Sequence, residues 1–264
     1  MPGNNPIETL FMSFCKQLLG VQKQTTNAGV LLELGQLPLL IRARKKAIKN
    51  WVRMNTGTNC PEIVLDSLYT AKQENLPWTS SIEGILSEIG LRQSFLDVDI
   101  DLHLQAFQRL QDIHHQKVFS DIKREDSKLR TYSKFKTEAG FEKYLDEVTC
   151  VKERIALTKL RLSNHLLMIE KGRHMKIDKN RRFCPFCPNS IEDERHFLIQ
   201  CNQYKHIRQE LLENVRPVFP SIYNQCHDQR FLNLISKTPI SVLHFIFKAM
   251  ELRDFLLAKP RNND

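Results

Sequence analysis

The chain has 264 residues, of which 41% are hydrophobic and 26% are charged, so its composition is that of a globular protein long enough for about two domains. This composition excludes a chain that is disordered along its whole length. There are only 9 glycines beside many leucine, lysine, glutamate and glutamine residues. Because those residues favour helices, an all-β sandwich is nearly excluded.

The excess of positive charge lies in one part of the chain. Residues 117–182 carry 18 basic and 10 acidic side chains, so they account for +8 of the formal net charge of +9. A basic excess concentrated in this way indicates a surface that faces a polyanion, and it favours nucleic acid over a membrane. The sequence therefore predicts RNA or single-stranded DNA as a partner.

The sequence predicts an intracellular chain without a membrane segment. Its first 30 residues lack the basic and apolar regions of a secretory signal. The longest apolar run, residues 30–41, is interrupted by polar residues and a proline, so it is too short and too polar to span a bilayer. Of the seven cysteines only Cys184, Cys187 and Cys201 lie close together, which indicates a metal site in a reducing compartment rather than a set of disulfides.

Apolar periodicity and capping residues predict helices along most of the chain. They cover residues 8–19, 27–35, 38–53, 61–73, 103–125 and 151–171, one from Ser80 or Ser81 to Gly90, one from near Cys201 to Val215, and a last one with Leu243, Phe247, Met250 and Phe255. Residues 94–101 alternate apolar side chains with aspartates and predict a short extended piece before the next helix. A calcium loop would require a glycine and a distal glutamate that this segment lacks.

These elements predict a mostly α fold in three parts. Residues 1–175 form a helical domain, residues 180–215 a small zinc-knuckle-like module, and residues 216–264 a C-terminal helical tail. Strand is expected only in the hairpin of the metal module.

The helix predicted over residues 38–53 carries basic side chains without any acid. Its basic residues are Arg42, Arg44, Lys45, Lys46, Lys49 and Arg53, and no acidic residue occurs between Glu33 and Glu62. Two interpretations remain open: a solvated face of a core helix, or a face that contacts phosphates.

The helix predicted over residues 151–171 has apolar residues on two opposite sides, which indicates packing between two layers. Basic residues lie along the seams between these sides and continue beyond the helix. The candidate nucleic-acid-binding residues are Lys152, Arg154, Lys159, Arg161, Arg173, Arg181 and Arg182. The segment 128–136 also interleaves basic residues with Tyr132, a pattern that serves either phosphate contacts with base stacking or a loop that covers the core.

The strongest chemical signal is a set of metal ligands. Cys184 and Cys187 are separated by two residues, His196 follows after eight more, and Cys201 after a further four. This spacing predicts a tetrahedral zinc site with four protein ligands, which leaves no position for a catalytic water, so the zinc is expected to be structural. Glu192, Asp193 and Glu194 are expected to form the charged turn between the ligand pairs.

Other candidate ligands are expected to remain outside this site. They are Cys15, Cys60, Cys150 and Cys226, with His206 as the nearest substitute. His103, His114 and His115 lack partners at ligand spacing, so they are predicted to be surface or core-edge residues.

Several blocks of sequence resemble the C-terminal region of animal non-LTR (LINE-type) retrotransposon reverse transcriptase polyproteins. They are LRLSNH at 160–165, EKGRH at 170–174, FCPFC at 183–187, SIEDE at 190–194, HFL at 196–198 and Cys201. Farther upstream, FCKQLLG at 14–20, Asn27, LELG at 32–35, Pro38 and KNW at 49–51 resemble the segment that follows the polymerase core of the same family. The similarity covers residues 7–215 and continues more weakly to the end.

The resemblance implies a non-catalytic region that handles template RNA or target DNA in support of reverse transcription, with a polymerase core supplied in trans or as a missing N-terminal part. The sequence contains no Tyr/Phe-x-Asp-Asp polymerase motif, phosphate-binding glycine loop, Gly-x-Ser-x-Gly elbow or His-Glu-x-x-His helix. No enzymatic activity is therefore expected. The alternatives are a zinc-stabilised helical module that binds proteins, and a decayed transposon-derived fragment without activity.

Overall fold

The computed structural model of the protein describes residues 5–57 and 60–258. These residues are mostly helical, and within them the only β-type pairings are two isolated antiparallel bridges, Leu34–Phe141 and Phe183–Ile191. The predicted mostly α fold is therefore confirmed. No helix in the described ranges has the length and apolar character needed to cross a membrane.

Twelve α-helices occur in the described part of the chain. They are α1 (Pro6–Leu18), α2 (Asn27–Glu33), α3 (Leu39–Asn55), α4 (Glu62–Gln73), α5 (Pro77–Glu88), α6 (Leu102–Lys123), α7 (Tyr144–Glu147), α8 (Val151–Arg161), α9 (Met168–His174), α10 (Lys205–Val215), α11 (His227–Lys237) and α12 (Pro239–Ala258). Short 3₁₀ turns and one π-helix, His196–Gln200, lie between them.

Two local predictions are wrong. The predicted cap at Ser80 or Ser81 lies inside α5, which begins at Pro77 because proline suits the first turn of a helix. The alternating segment 94–101 is not extended, since the 3₁₀ turn Arg92–Phe95 enters it and bends follow up to α6. With a length of eight residues and no partner strand in the described chain, its alternation does not produce a β-strand.

The single helix predicted over residues 151–171 is also wrong, because the chain leaves the helix after Arg161. Ser163 has a φ of 52°, in the left-handed region. The N–H of Asn164 donates to the carbonyl of Lys159 (2.8 Å) and the N–H of Ser163 to that of Leu160 (3.3 Å), the two bonds of a Schellman C-cap. The helix resumes as α9 only at Met168.

The chain forms two compact units that do not follow the boundaries predicted at residues 175–180 and 215–216. Unit 1 comprises Met1–Phe11 and Gln36–Asp121, and unit 2 comprises Met12–Gly35 and Ile122–Asp264. Unit 2 therefore contains the predicted metal ligands together with α8 to α12. The difference arises because α12 packs on both α8 and α10, which joins the predicted tail to the elements on either side of the metal ligands.

The core of unit 1 is built from the inner faces of α3, α4, α5 and α6. Trp51 of α3 is fully buried, and its ring stacks on that of Phe95 at a centroid distance of 4.8 Å. The buried side chains of this core are Ile41, Ile48, Trp51, Val52, Leu68, Ile82, Ile85, Leu86, Ile89, Leu102, Ala106 and Leu110. Burying this side of α3 fixes which of its basic residues face solvent.

The core of unit 2 surrounds α12 and contains a buried polar centre. The Glu33 carboxylate, fully buried at the end of α2, accepts hydrogen bonds from Tyr132 (2.8 Å), Tyr144 (2.6 Å) and the guanidinium of Arg161 (2.6 and 3.3 Å). Arg161 also pairs with Glu142 at 2.7 Å. These contacts bring together segments more than 90 residues apart in the sequence.

Candidate metal centre

The first two cysteines lie in a tight loop. The N–H of Cys184 donates to the carbonyl of Ser190 (2.7 Å), and the N–H of Ser190 donates to the carbonyl of Cys187 (3.2 Å). Asn189 turns the chain with a φ of 62°. Phe183 and Ile191 pair across the base of the loop, so both sulfurs are held in one short hairpin.

The second pair of ligands lies at the two ends of the π-helix. The N–H of Cys201 donates to the carbonyl of His196 (2.8 Å), a bond between residues five apart. A π-helix has a wider turn than an α-helix, so residues at this spacing lie close together instead of on diverging sides. The Asp193 carboxylate caps the start of the turn by accepting from the N–H of His196 (2.7 Å).

The four side chains converge on one point. The ligand atoms of Cys184, Cys187, His196 and Cys201 all lie within 4.8 Å of one another. The Sγ of Cys201 is 3.9 Å from the Sγ of Cys184 and 3.6 Å from that of Cys187. Two sulfurs bound to one tetrahedral ion at about 2.3 Å would be about 3.8 Å apart, so the spacing fits a metal ion.

A buried nitrogen provides a further test of this fit. The Nε2 atom of His196 is buried and has no hydrogen-bond partner. Buried polar atoms in native proteins are normally paired, and metal coordination by an imidazole would remove this exception. The chemistry of the donor set and the unpaired nitrogen of His196 therefore both fit a bound metal ion.

The pairing of the two buried sulfurs shifts the pKa values of Cys184 and Cys201 in opposite directions. The hydrogen bond from the Cys201 thiol lowers the pKa of Cys184 to about 4 although burial acts in the opposite direction, and the neighbouring His196 imidazole and the backbone N–H of Phe186 lower it further. The same pairing, together with burial, raises the pKa of Cys201 well above its usual value, although the backbone N–H of Gln203 opposes this change. Cys201 also precedes the 3₁₀ turn that leads into α10, as the sequence predicts.

Neighbouring helices hold the loop in place. The Arg208 guanidinium on α10 donates to the carbonyls of Leu198 (2.8 Å) and Cys201 (2.7 Å). The rings of Phe197 and Tyr204 contact edge to face at 5.0 Å. The ligands are therefore attached to the core of unit 2 and do not lie on a free surface loop.

The charged residues 192–194 lie between the two pairs of ligands, as the sequence predicts, but two of their three carboxylates are buried. Glu192 and Glu194 are 1% and 2% exposed. Burial opposes the ionisation of Glu194, but the hydrogen bond from His165 and the charges of His165 and Arg130 lower the pKa of Glu194 to about 2. Glu192 pairs with Arg253. The partners Arg130, His165 and Arg253 are far from residues 192–194 in the sequence, so local sequence patterns do not predict these contacts.

The other cysteines and histidines considered as ligands lie apart from the cluster. Within the described residues, the only group of three or more metal-binding side chains with ligand atoms this close is the cluster itself. The residues outside it are Cys15, Cys60, Cys150, Cys226, His103, His114, His115 and His206.

The predicted nucleic-acid-binding residues do not form one exposed surface. Arg161 is 2% exposed and bound to Glu33, so it is unavailable to a phosphate and its assignment is corrected to a core residue. Arg154 donates to the carbonyl of Leu145 (3.1 Å), and Arg173 pairs with Glu170 at 2.6 Å.

The remaining predicted residues differ in exposure. Arg182 donates to the carbonyls of Ile169 (2.8 Å) and Ile177 (2.9 Å). Lys152 and Arg181 are exposed, and Lys159 is half-buried. Tyr132 is fully buried, so the segment 128–136 uses that ring to cover the core and not to stack bases.

An open groove of about 850 Å³ lies beside the metal ligands, and His196 forms part of its wall. Six basic residues line it: Lys123, Arg124, Arg130, Lys134, Lys179 and Arg195. Its acidic lining residues are Glu125, Asp193 and Glu194. Five of these six cations lie within the basic segment 117–182 that the sequence predicts to face a polyanion, but they come from separate parts of that segment, and Arg195 lies beyond it.

Comparison of the chain with protein-family profiles, curated proteins and solved structures finds no match.

Proposed function

We propose that this chain is a non-catalytic nucleic-acid-binding protein whose binding surface is stabilised by a structural zinc centre. The observation that carries the proposal is the basic groove at the metal site, which is lined by the ligand His196 together with six cationic side chains. The proposal assigns no reaction to the chain.

Zinc is the metal that this donor set favours. Three cysteine sulfurs and one imidazole form a soft tetrahedral set, which is characteristic of structural zinc sites. Cys184, Cys187, His196 and Cys201 would hold the ion, and all four positions would be occupied by protein. The zinc would then fix the loop and the π-helix that form one side of the groove.

The lining of the groove favours phosphates. Among the described residues, Lys123, Lys134 and Lys179 form no ion pair, so their charges are available to a ligand. Arg130 and Arg195 are paired with Glu170 and Asp228. Polar side chains such as Thr131, Ser133, Asn189 and Ser190 supply further hydrogen-bonding groups. An aromatic stacking platform is absent from the lining residues, so the proposed contacts are to the backbone and independent of base sequence.

The resemblance to LINE-type reverse transcriptase polyproteins supports the same class of ligand. It implies template RNA or target DNA and a polymerase core in trans or as a preceding part of a longer protein.

Metal analysis tests the zinc centre. The wild-type chain should contain one zinc ion, and Cys187→Ser should lose most of it because a three-ligand site binds more weakly. Cys226→Ser is the matched control, since Cys226 is exposed and lies outside the cluster. Equal zinc content in the two variants would show that the ligands are wrong.

A salt titration of the zinc-loaded chain with single-stranded RNA and DNA tests the binding function. For four contacts the logarithmic slope should be near −3, at roughly −0.7 per phosphate contact. Replacing Lys123, Lys134 and Lys179 by Gln should reduce the slope by about 2. The control replaces Lys143, Lys237 and Lys248 by Gln, which changes the net charge equally outside the groove. Absence of salt-dependent affinity in the wild type would reject the proposal.

A protein-binding module is the second candidate, and α1 supplies the observation that favours it. Ile7, Leu10, Phe14 and Leu18 are 54% to 72% exposed and share one face of this helix. Exposed apolar stripes of this kind mark surfaces that bind proteins. If the zinc-loaded chain binds no nucleic acid, this interpretation replaces the first.

A further inference from the structure

Helix α3 in unit 1 carries a row of four basic side chains on its exposed side. Arg42, Lys46, Lys49 and Arg53 follow one another at intervals of four, three and four residues, so they share one face of the helix. All four are exposed. The opposite side of α3 is buried in the core of unit 1, so the row faces solvent. We refer to these four residues as the α3 row.

The structure separates the α3 row from the other basic residues of the same helix. Arg44 pairs with Glu88 at 2.6 Å, and the Lys45 ammonium lies 3.6 Å from the ring centroid of Phe107. Both side chains are therefore used within unit 1. In the described part of the chain, Lys46 and Lys49 form no ion pair, and the same holds for Arg53.

The positive charges of the α3 row lower the stability of helix α3. Like charges three and four residues apart repel one another, and α3 contains no acidic residue to offset them. Arg42 lies in the N-terminal part of the helix, where the dipole disfavours a cation. Its guanidinium lies 5.7 Å from the ring centroid of Phe11 and bonds to Gln36, so it is held at the end of the row. A bound polyanion would convert this repulsion into attraction.

The shape and composition of this face indicate which polyanion it fits. At 1.5 Å per residue the α3 row is about 16 Å long, which corresponds to about five nucleotides of one strand at 3.4 Å each. The exposed residues beside it, Ala43 and Asn50, are small or polar. The row holds its cations at fixed intervals along one helix, which matches the regular phosphate spacing of a duplex strand better than the variable spacing of a flexible single strand.

We infer that the α3 row binds the sugar–phosphate backbone of a nucleic-acid duplex, as a second contact surface separate from the groove at the metal centre. This inference deepens the proposed function and rests on it. Because phosphate contacts do not read bases, binding at the α3 row is independent of sequence. Duplex RNA and duplex DNA both present this backbone, and separate titrations distinguish them.

The test uses the full, zinc-loaded chain with the triple variant Lys46→Gln, Lys49→Gln and Arg53→Gln. Its affinity for a duplex of RNA or DNA at 50 mM salt should fall at least about tenfold, and the slope against salt should flatten by about 2.7, or 0.9 per contact. The control variant Gln73→Glu, Gln105→Glu and Gln116→Glu makes the same change in net charge at exposed positions elsewhere in unit 1. It should bind close to wild-type strength.

Two further measurements distinguish a failure of this inference from a failure of the proposed function. Lys46→Arg with Lys49→Arg keeps the charges and should retain duplex affinity. The circular dichroism spectrum and melting temperature of the triple variant should match those of the wild type, so that its lost affinity reflects lost charge and not misfolding. If the triple variant and the control bind duplex equally, or if the wild type binds no duplex, the inference is wrong. In either case the single-strand titration of the groove variant decides the proposed function on its own.

Discussion

The carboxylate of Glu192 and the guanidinium of Arg253 form two parallel hydrogen bonds of 3.0 and 2.8 Å, with both side chains almost fully buried. Glu192 lies in the loop between the two pairs of metal ligands, and Arg253 lies near the end of α12. The Glu192 carboxylate also accepts from the N–H of Met168 (2.7 Å), at the start of α9. One ion pair thus joins the metal-binding loop to two helices of unit 2.

Replacing Arg253 by Ala should destabilise the protein by about 3–5 kcal/mol, because the buried Glu192 carboxylate would lose its charged partner. The control on the same helix is Lys248→Ala. Lys248 pairs with Glu210 at the surface, where both side chains are about half exposed, so its loss should cost less than about 1 kcal/mol. Urea unfolding of the two variants provides the measurement, and similar midpoints would contradict the prediction.

Two glycine substitutions should have opposite effects on stability. Gly35 has a φ of 58°, and a Cβ at this position would lie 2.5 Å from the backbone nitrogen of Phe141, so Gly35→Ala should cost about 1–3 kcal/mol. Gly84 lies in α5, and a Cβ there would meet no atom within 4 Å, so Gly84→Ala should add about 0.5–1 kcal/mol. Thermal unfolding should show shifts in opposite directions. A shift in the same direction for both would contradict the expected geometry.

Substitutions of the neighbouring residues Arg181 and Arg182 should have different effects, one on nucleic-acid binding and the other on stability. Arg182→Ala leaves the carbonyls of Ile169 and Ile177 without their donor and should cost about 1–3 kcal/mol. Arg181 is exposed and shares a 3₁₀ turn with the groove residue Lys179, so Arg181→Ala should change stability by less than about 0.5 kcal/mol and act only on affinity for nucleic acid. Chemical unfolding and a salt titration on each variant distinguish the two effects. Equal stability losses would show that Arg181 also has a structural role.

Three of the five tyrosines, Tyr132, Tyr144 and Tyr204, should resist ionisation in the folded protein, because burial raises the pKa of each. Burial, followed by the negative charge of Glu33, raises the pKa of Tyr132 and of Tyr144 well above 10. Groups with a raised folded pKa stabilise the fold below the pKa of the unfolded chain, and this stabilisation is lost as the pH rises beyond it. The free energy of unfolding should therefore fall above about pH 10.

Tyrosinate absorbance provides the measurement of this effect. At a pH somewhat above 10, the folded chain should lack the signal of three tyrosines relative to the unfolded chain. The Tyr144→Phe variant should reduce the missing signal by one tyrosine. Full ionisation in the folded state would contradict the burial of these hydroxyls.

The sequence predicts helix ends well where glycine provides the left-handed residue, and poorly where another residue does. Gly20 ends α1 with a φ of 65°, as its position predicts. Ser163 ends α8 in the same conformation, but serine has no strong preference for it, so residues 151–171 were predicted as one helix. The break is fixed by distant contacts of this region, including Arg161 with Glu33 and Asn164 with the N–H of Gln22.

The metal ligands were predictable because their spacing alone limits the geometry, and the structure brings all four together. The basic surface was not predictable to the same degree. Lys159 and Arg161 are two residues apart, yet one is half-buried and the other is enclosed by partners from other elements. Whether a cation is available to a ligand depends on such partners. The sequence therefore does not predict which cations line the groove, because this depends on the fold.

The buried carboxylate of Glu33 has a consequence for how the protein is made. Its partners Tyr132, Tyr144 and Arg161 follow it by 99, 111 and 128 residues. At a synthesis rate of roughly 5–20 residues per second, the last partner leaves the ribosome about 6–25 s after Glu33. During that interval the apolar residues of α2 have no completed core to enter. Nascent chains that stop before Arg161 should therefore bind chaperones and aggregate more readily than chains that extend past it.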